Sequence, residues 1–302
     1  MLCKDKDIIP NKKILSYFFY HPATNKYKEG CPKIWSFQKF SLHLHSKNSK
    51  RYKNNCIKST PVNYNHSSRR AIVIGASSGI GREVARLLMT EGWTVGVAAR
   101  RTELLSQLGA AAVEPIDVTK EEATEHLQAL IQRLGGMDLF FYASGIGKQN
   151  RELKEDIELA TLQTNGVGFT RMIGEAYRYF AAQGSGHIAA ITSIAGTKGL
   201  GPAPSYSATK TMQNVYLQAL EQQANARGLR IHFTDIRPGF VDTALLDGDY
   251  RYPMMLKPDQ VAKQIVKAIN HHRHIQVIDW KYRILTALWR RIPRCLWRRI
   301  RI

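Results

Sequence analysis

Short apolar segments alternate with helical patterns from residue 69 to residue 279, and this alternation restricts the possible folds most. The predicted strands lie at 69–75, 93–99, 111–117, 137–143, 186–193, 229–236 and 274–279. The predicted helices lie at 82–92, 119–134, 156–182, 204–227 and 258–271. Strands that are apolar on both faces and separated by helices predict a parallel sheet covered on both sides. We therefore predict a single α/β domain with a doubly wound sheet of about seven strands in three layers.

The positive charge of the chain is concentrated at its two ends. Of the formal net charge of +20 over 302 residues, residues 1–68 contribute +10, residues 69–272 contribute +2 and residues 273–302 contribute +8. A basic groove for nucleic acid is therefore not expected in the nearly neutral central part. We predict a basic N-terminal extension (1–68), the α/β domain (69–279) and a basic amphipathic C-terminal helix (280–302).

The N-terminal extension differs from the rest of the chain in composition. Asn, Lys, Ser, Tyr and His dominate residues 1–68, which show no apolar periodicity. The segment has no apolar core followed by a cleavage site, so we do not predict a secretory signal. Its basic, acid-poor composition leaves a transit peptide open. We predict either a disordered extension or sequence read from a start site placed too early. N-terminal sequencing of the natural protein distinguishes the two.

The sequence has no pattern typical of a membrane-spanning helix or a metal site. No apolar run reaches the length of about 18 residues that a transmembrane helix needs. The cysteines have no metal-ligand spacing and predict no disulfide framework, and the C-terminal histidine cluster lacks a second set of ligands. These residues are Cys3, Cys31, Cys56, Cys295, His271, His272 and His274. We expect a cytoplasmic protein without a bound metal.

A glycine-rich turn joins the first strand to the first helix in the segment IVIGASSGIGREVA, residues 72–85. Glycine lets the chain turn sharply and lets the backbone approach a pyrophosphate, which the free N–H groups of the helix start then bind. A tight strand–helix turn without a ligand is the simpler alternative. We predict that this turn binds dinucleotide phosphates through Gly75, Ser77, Ser78, Gly79, Ile80 and Gly81.

The end of the second strand indicates which dinucleotide is bound. An acidic residue there would bind the ribose 2′-hydroxyl of NAD, but in this chain Ala99 is followed by Arg100 and Arg101. The planar guanidinium group suits a 2′-phosphate, so we predict NADP(H) in preference to NAD(H).

The segment PSYSATK contains a Tyr-x-x-x-Lys pair, Tyr206 and Lys210, on one face of a predicted helix. Such a pair is expected by chance in a chain with 13 tyrosines. It gains significance because Ser193 ends the fifth strand 13 residues earlier and Asn165 lies in the preceding long helix. Together with the glycine turn, this order of motifs resembles the short-chain dehydrogenase/reductase family over about residues 70–280.

The resemblance implies a Rossmann-type fold, oxidoreductase activity and a set of site residues. Asn165, Ser193, Tyr206 and Lys210 match the catalytic residues of the family. Tyr206 and Lys210 are also expected to contact the cofactor, as are Asp117, Val118, Ala143, Ser144, Gly145, Pro238, Gly239, Val241 and Thr243. Two positions depart from the family pattern: Ile74 replaces a threonine, and YASG at 142–145 replaces Asn-Asn-Ala-Gly.

The expected reaction is the reduction of a ketone or aldehyde to an alcohol, or the reverse, by hydride transfer with NADPH. Tyr206 is expected to donate the proton to the carbonyl oxygen, with its pKa lowered by the ammonium of Lys210. Ser193 is expected to hold the same oxygen. The resemblance further implies that Lys210 binds the nicotinamide ribose and that Asn165 holds a water linking Lys210 to solvent.

Substrate and partners are less closely defined. Residues 241–257 are expected to form a mostly apolar substrate loop, which favours a small or lipophilic carbonyl compound. The resemblance implies a homodimer or homotetramer. Two other functions stay open: an NADP(H)-binding regulatory protein without catalysis, and a membrane-associated reductase of lipophilic carbonyls.

The C-terminal segment carries an apolar stripe at helical spacing with arginines on the other face, and Pro293 should kink or end the helix. The stripe consists of Ile284, Leu285, Leu288, Trp289, Ile292 and Leu296. It either packs on the domain or a second subunit, or makes weak peripheral contact with an anionic membrane.

Overall fold

Seven strands form one sheet in the order β3-β2-β1-β4-β5-β6-β7. The computed structural model describes residues 69–245 and 252–300. The strands are β1 (Arg70–Ile74), β2 (Thr94–Ala99), β3 (Ala112–Pro115), β4 (Leu139–Tyr142), β5 (Ser185–Ile191), β6 (Arg230–Arg237) and β7 (Ile275–Val277). All neighbouring strands pair in parallel, which confirms the predicted doubly wound sheet. The predicted N-terminal extension, residues 1–68, lies outside the described residues.

Helices cover both faces of this sheet. They are α1 (Gly79–Thr90), α2 (Thr102–Ser106), α3 (Ala123–Leu134), α4 (Glu155–Thr161), α5 (Phe169–Gln183), α6 (Pro204–Ala226), α7 (Pro258–Asn270), α8 (Trp280–Arg291) and α9 (Arg294–Trp297). A π-helical segment, Leu162–Gly168, joins α4 to α5, and a 3₁₀ helix, Ile194–Thr197, follows β5. The short helices α2 and Ile194–Thr197 are absent from the sequence prediction.

The apolar residues of the strands divide into two cores, one on each face of the sheet. Leu127, Phe169 and Leu217 of α3, α5 and α6 pack on one face. Val84 of α1 and Val261 of α7 pack on the other. The strand order reverses between β1 and β4, and this reversal opens a crevice at the carboxyl ends of the strands.

The helix predicted over 156–182 is interrupted by the π-helical segment around Asn165. Tertiary contacts account for the interruption. The Asn165 side chain bonds both main-chain groups of Ile146, with Nδ2 to the carbonyl at 2.6 Å and Oδ1 from the N–H at 2.9 Å. A wider turn holds this side chain, which is fully buried, against the β4 loop.

The C-terminal stripe does not pack on the domain as one surface. Tyr282 and Thr286 are the buried residues of α8, whereas Ile284 and Leu288 of the predicted stripe are exposed. Pro293 separates α8 from α9. No helix within 69–245 and 252–300 is long and apolar enough to cross a membrane.

Three histidines cluster at the start of β5 and β6. His187 of β5 is buried, and its Nε2 lies 2.8 Å from Thr234 Oγ1. The rings of His232 and His272 stack at 4.0 Å, and the His272 ring centroid lies 5.1 Å from that of His187. Burial, with smaller effects from the charges of His272 and His232, lowers the pKa of His187 from 6.5 to about 3. His187 is therefore neutral in the folded protein at neutral pH.

This cluster predicts a loss of stability in mild acid. A histidine with a lowered folded-state pKa stabilises the fold fully above pH 6.5, and that contribution falls as the pH drops towards 3. At pH 5 the folded state should lose about 2 kcal/mol through this group. We expect His187→Gln to flatten the unfolding free energy between pH 7.5 and pH 5, measured by urea titration, whereas the exposed control His271→Gln should not. Equal acid sensitivity of His187→Gln and the wild type contradicts the prediction.

Candidate active site

The glycine turn forms a close-fitting cradle between β1 and α1. Gly75 has φ +86°, and a Cβ built on it would lie 2.7 Å from the main-chain N of Ser144. A Cβ on Gly81 would collide with the Gly75 carbonyl oxygen, so α1 starts directly above the turn. Ser78 is the N-cap residue, and Ile80 lies in the first turn of α1. Free N–H groups at the helix start and the lack of side chains fit a dinucleotide pyrophosphate.

Basic side chains surround this cradle. The Nη2 of Arg101 donates to the hydroxyls of Ser77 and Ser78, at 3.3 Å each. Arg100 lines an open cavity of about 270 Å³ together with Asp117 and Lys120. This cavity lies beside the end of β2, where the sequence places the NADP ribose.

Asp117 is held as a carboxylate in that cavity. Its Oδ1 accepts from the Thr119 N–H at 3.0 Å and from the Thr119 hydroxyl at 2.7 Å. Burial raises its pKa, but these bonds and the charges of Arg100 and Lys120 lower the pKa below 3.8 overall. The adjacent Val118 is buried against Gly168.

Ser193 and Tyr206 meet where β5 ends and α6 begins. The Ser193 hydroxyl accepts from the Ala195 N–H at 3.0 Å and lies next to the Tyr206 phenol, whose pKa it lowers. The pKa of Tyr206 differs from the expectation that Lys210 lowers it. Burial raises this pKa above 10.0, and the Ser193 hydroxyl offsets the rise only in part. Lys210 Nζ lies 5.7 Å from the centroid of the Tyr206 ring. Tyr206 is therefore a protonated phenol at neutral pH.

Lys210 is buried, with 4% of its surface exposed. Its Nζ donates to the Ile191 carbonyl at 3.1 Å and to Gln213 Oε1 at 3.0 Å. Burial lowers its pKa from 10.5 to about 8, and the negative charge of Asp235 acts in the opposite direction. Lys210 is thus charged at neutral pH and titrates slightly above it.

Gln213 joins Lys210 to Asn165 and was not predicted from the sequence. Its Nε2 donates to the Asn165 main-chain carbonyl at 2.8 Å, while its Oε1 accepts from Lys210. Gln213 is fully buried. Its position three residues after Lys210 on the same helix face could have indicated it. The predicted water held by Asn165, which would link Lys210 to solvent, stays a prediction.

Asp235 is a second residue that was not predicted. This buried carboxylate accepts from the Thr192 hydroxyl at 2.5 Å and from Arg237 Nε at 2.8 Å. It lies in β6 next to β5, paired in register with Ala190. The available signal was the single carboxylate of β6, which lies in the buried part of the strand.

The segment after β6 closes the site on its other side. The Pro238 carbonyl accepts from the Ile194 N–H at 3.1 Å, next to Ser193. Val241 bridges to Leu256, and Thr243 Cγ2 would lie 3.1 Å from a Cβ on Gly79. Residues 246–251 of the predicted substrate loop lie outside the described residues.

The Tyr282 hydroxyl ties this segment to α8. It accepts from the Phe240 N–H at 3.2 Å and lies 3.1 Å from the carbonyl oxygens of Pro253 and Met254. A Cβ on Gly239 would collide with the Tyr282 ring.

The structure brings most predicted residues into one connected crevice. The β4 loop connects the glycine cradle to Asn165 and Lys210. A Cβ built on Gly75 would touch the main chain of Ser144 in this loop. A Cβ built on Gly145, in the same loop, would lie 3.2 Å from Asn165 Oδ1 and 3.7 Å from Lys210 Nζ. Ala143 belongs to the same loop. Asp117 and Val118 follow β3 beside the end of β2, and Val118 contacts Gly168 at the end of the π-helical segment. Among residues 69–245 and 252–300, no group of His, Cys, Asp or Glu side chains could hold a metal ion.

At the two departures from the family pattern, apolar packing replaces polar side chains. Ile74 is buried at the end of β1. Tyr142 is fully buried and packs edge-on against Phe169, with ring centroids 5.3 Å apart. These side chains stiffen the base of the two loops that surround the cradle.

Comparisons with known proteins agree with this geometry. The family model for short chain dehydrogenases matches residues 69–251. An uncharacterized oxidoreductase of Listeria innocua is 32% identical over 240 residues, covering 72% of this chain and 97% of the relative. An uncharacterized oxidoreductase of Myxococcus xanthus is 29% identical over 239 residues, covering 75% and 94%.

A solved structure of the actinorhodin polyketide ketoreductase with NADPH is similar with a TM-score of 0.61 and 26% identity, covering 70% of this chain and 95% of that one. The sheet order, the glycine cradle, the Ser193–Tyr206–Lys210 group and the family match over 69–251 lead to one assignment. The chain belongs to the short-chain dehydrogenase family of oxidoreductases.

Proposed function

We propose that the protein is an NADP(H)-dependent oxidoreductase that reduces a ketone or aldehyde to an alcohol, or catalyses the reverse reaction. The observation that carries this proposal is the position of the Ser193 hydroxyl and the Tyr206 phenol next to each other, with the buried ammonium of Lys210 5.7 Å from the centroid of the Tyr206 ring. The group faces the crevice next to the glycine cradle. Two hydroxyls that converge on one point can bind a single carbonyl oxygen.

The chemical roles follow from the protonation states. Tyr206, whose pKa is raised by burial, is protonated at neutral pH and can donate a proton to the carbonyl oxygen during reduction. Ser193 donates a hydrogen bond to the same oxygen and stabilises the charge that develops there. The positive charge of Lys210 stabilises the phenolate that remains after proton transfer. A tightly held phenol suits the reductive direction.

The cofactor assignment rests on the charge around the cradle. Bound NADPH supplies the hydride. The phosphates fit the start of α1 at Gly75–Gly81, and Arg100 and Arg101 would hold the 2′-phosphate, for which Ala99 leaves no competing carboxylate. The ketoreductase of similar fold carries NADPH, which supports this choice.

The substrate is proposed to be a lipophilic carbonyl compound. Leu245, Met254 and Met255 of the predicted substrate loop expose apolar surface, and Met side chains adapt to irregular apolar ligands. Ile146 and Gly147 border the same crevice, and a Cβ on Gly147 would lie 2.7 Å from the Tyr206 ring. The chain next to Tyr206 is thus mainly apolar.

Gln213 is proposed as a positioning residue that acts through Lys210. Its Oε1 accepts from the ammonium and so favours the charged form, while its Nε2 fixes the amide on the Asn165 carbonyl. The amide sets both the position of Nζ and the pH at which Lys210 loses its charge.

Replacement of Tyr206 tests the reaction. We expect Tyr206→Phe to lower kcat/KM by about 10²-fold or more, because the proton donor is lost, in NADPH oxidation against a panel of carbonyl compounds. Tyr216→Phe, a conservative change on the same helix outside the site, should keep full activity. Unchanged turnover by Tyr206→Phe would remove the mechanism. NADPH binding without turnover of any carbonyl by the wild type would instead favour the regulatory function.

Replacement of Arg100 tests the cofactor. We expect Arg100→Ala to raise the KM for NADPH about tenfold or more while the KM for NADH stays within about twofold, since only NADPH has the 2′-phosphate. Arg86→Ala, which removes an exposed arginine of α1, is the control. A wild-type preference for NADH overturns the cofactor assignment but leaves the reaction unaffected.

Replacement of Gln213 tests its effect on Lys210. Wild-type activity should fall above about pH 8 as Lys210 loses its charge. We expect Gln213→Leu to move this alkaline limb down by about one pH unit and Gln213→Glu, which adds a negative charge, to move it up. The control is Gln218→Leu, an exposed position of α6. A loss of kcat at all pH values with an unmoved limb would show a merely structural role.

A further inference from the structure

The outward surface of α8 carries an exposed apolar row. Trp280, Ile284 and Leu288 follow one another at four-residue spacing and are 63%, 53% and 56% exposed. Leu296 and Ile300 continue the exposed apolar surface beyond Pro293, at 54% and 46%. We call the α8 residues together with their basic flanks the outer face of α8.

Basic residues flank this row on both sides. By helical geometry, Lys281 lies on one flank and Arg283 and Arg290 on the other, and all are exposed. Residues 280–300 contain seven basic residues and no Asp or Glu. These basic residues are Lys281, Arg283, Arg290, Arg291, Arg294, Arg298 and Arg299.

The opposite face of α8 is fastened to the domain, so the helix cannot roll over to bury the apolar row. Tyr282 is fully buried, and its hydroxyl is bonded to the segment after β6. Trp297 Nε1 donates to the Gly199 carbonyl at 2.8 Å, and Lys198 Nζ donates to the Ile292 carbonyl at 3.0 Å. The outer face is therefore held outward by contacts at both ends of the C-terminal segment.

We propose that the outer face of α8 binds the surface of a bilayer that contains anionic phospholipid. The charge complements phospholipid headgroups, and the row of Trp280, Ile284 and Leu288 can enter the boundary between headgroups and acyl chains. Nucleic acid offers phosphates but no apolar phase for this row. A second copy of the same face would bring like charges together. The proposal is independent of the reaction and of the cofactor.

Vesicle co-sedimentation of the full chain tests the proposal. We expect binding to vesicles of phosphatidylcholine with about a third phosphatidylglycerol, little binding to phosphatidylcholine alone, and weaker binding at high salt. Arg290→Glu with Arg291→Glu should weaken binding at least about tenfold. Lys263→Glu with Lys267→Glu, the same charge change on α7, should leave binding nearly unchanged. Equal loss in both pairs would mean that net charge alone drives binding and would overturn the site.

The apolar row is tested separately. Ile284→Ser with Leu288→Ser should lower binding to the anionic vesicles about tenfold or more, whereas Leu159→Ser with Val215→Ser, equally exposed elsewhere, should not. Circular dichroism and NADPH binding check that each variant is folded. The face is not a membrane site if the wild type does not bind the anionic vesicles. The same conclusion follows if Ile284→Ser with Leu288→Ser leaves vesicle binding unchanged but changes the molecular mass measured by light scattering.

Discussion

Seven parallel strands buried on both faces restrict most polar groups of this protein to the two ends of the sheet. The faces of the sheet are filled by apolar side chains of the strands and helices, so charged and hydrogen-bonding groups collect where strands end in loops. Gly75 follows β1, Ser193 follows β5 and Pro238 follows β6. The reversal of strand order between β1 and β4 parts the loops at the carboxyl ends of the strands, where the glycine turn and Ser193 lie.

The electrostatics of the crevice depend on how a buried ammonium is kept charged. Desolvation disfavours the charged form of Lys210, and the protein offsets it with two acceptors, the Ile191 carbonyl and Gln213. Asp235 adds a negative charge at longer range, and Arg237 in turn balances that carboxylate. The resulting pKa of about 8 keeps Lys210 charged at neutral pH but close to titration. Small changes around this group therefore have large effects on its protonation.

The sequence was sufficient for the sheet and the glycine cradle, because both follow from local periodicity and from the ends of parallel strands. The meeting of Ser193 with Tyr206 and Lys210 was predictable from the family resemblance. The sequence was not sufficient for features that depend on contacts between residues far apart in the sequence. The π-helical segment at Asn165 depends on Ile146, which precedes it by 19 residues. The direction of the Tyr206 pKa depends on burial, which the spacing to Lys210 does not report. The division of the C-terminal stripe likewise depends on which face of α8 Tyr282 occupies.

Tyr282 connects the C-terminal helix α8 to the substrate loop. Its phenol is hydrogen-bonded to the main chain at Phe240, just before the substrate loop, and at Met254, near the end of that loop. The helix that carries it also presents the outer face of α8. A change at the carboxyl terminus can therefore reach the entrance of the crevice through the Tyr282 side chain. Shortening the chain to improve its handling would also unlatch that entrance, so fusions and tags are better tolerated at surfaces remote from α8.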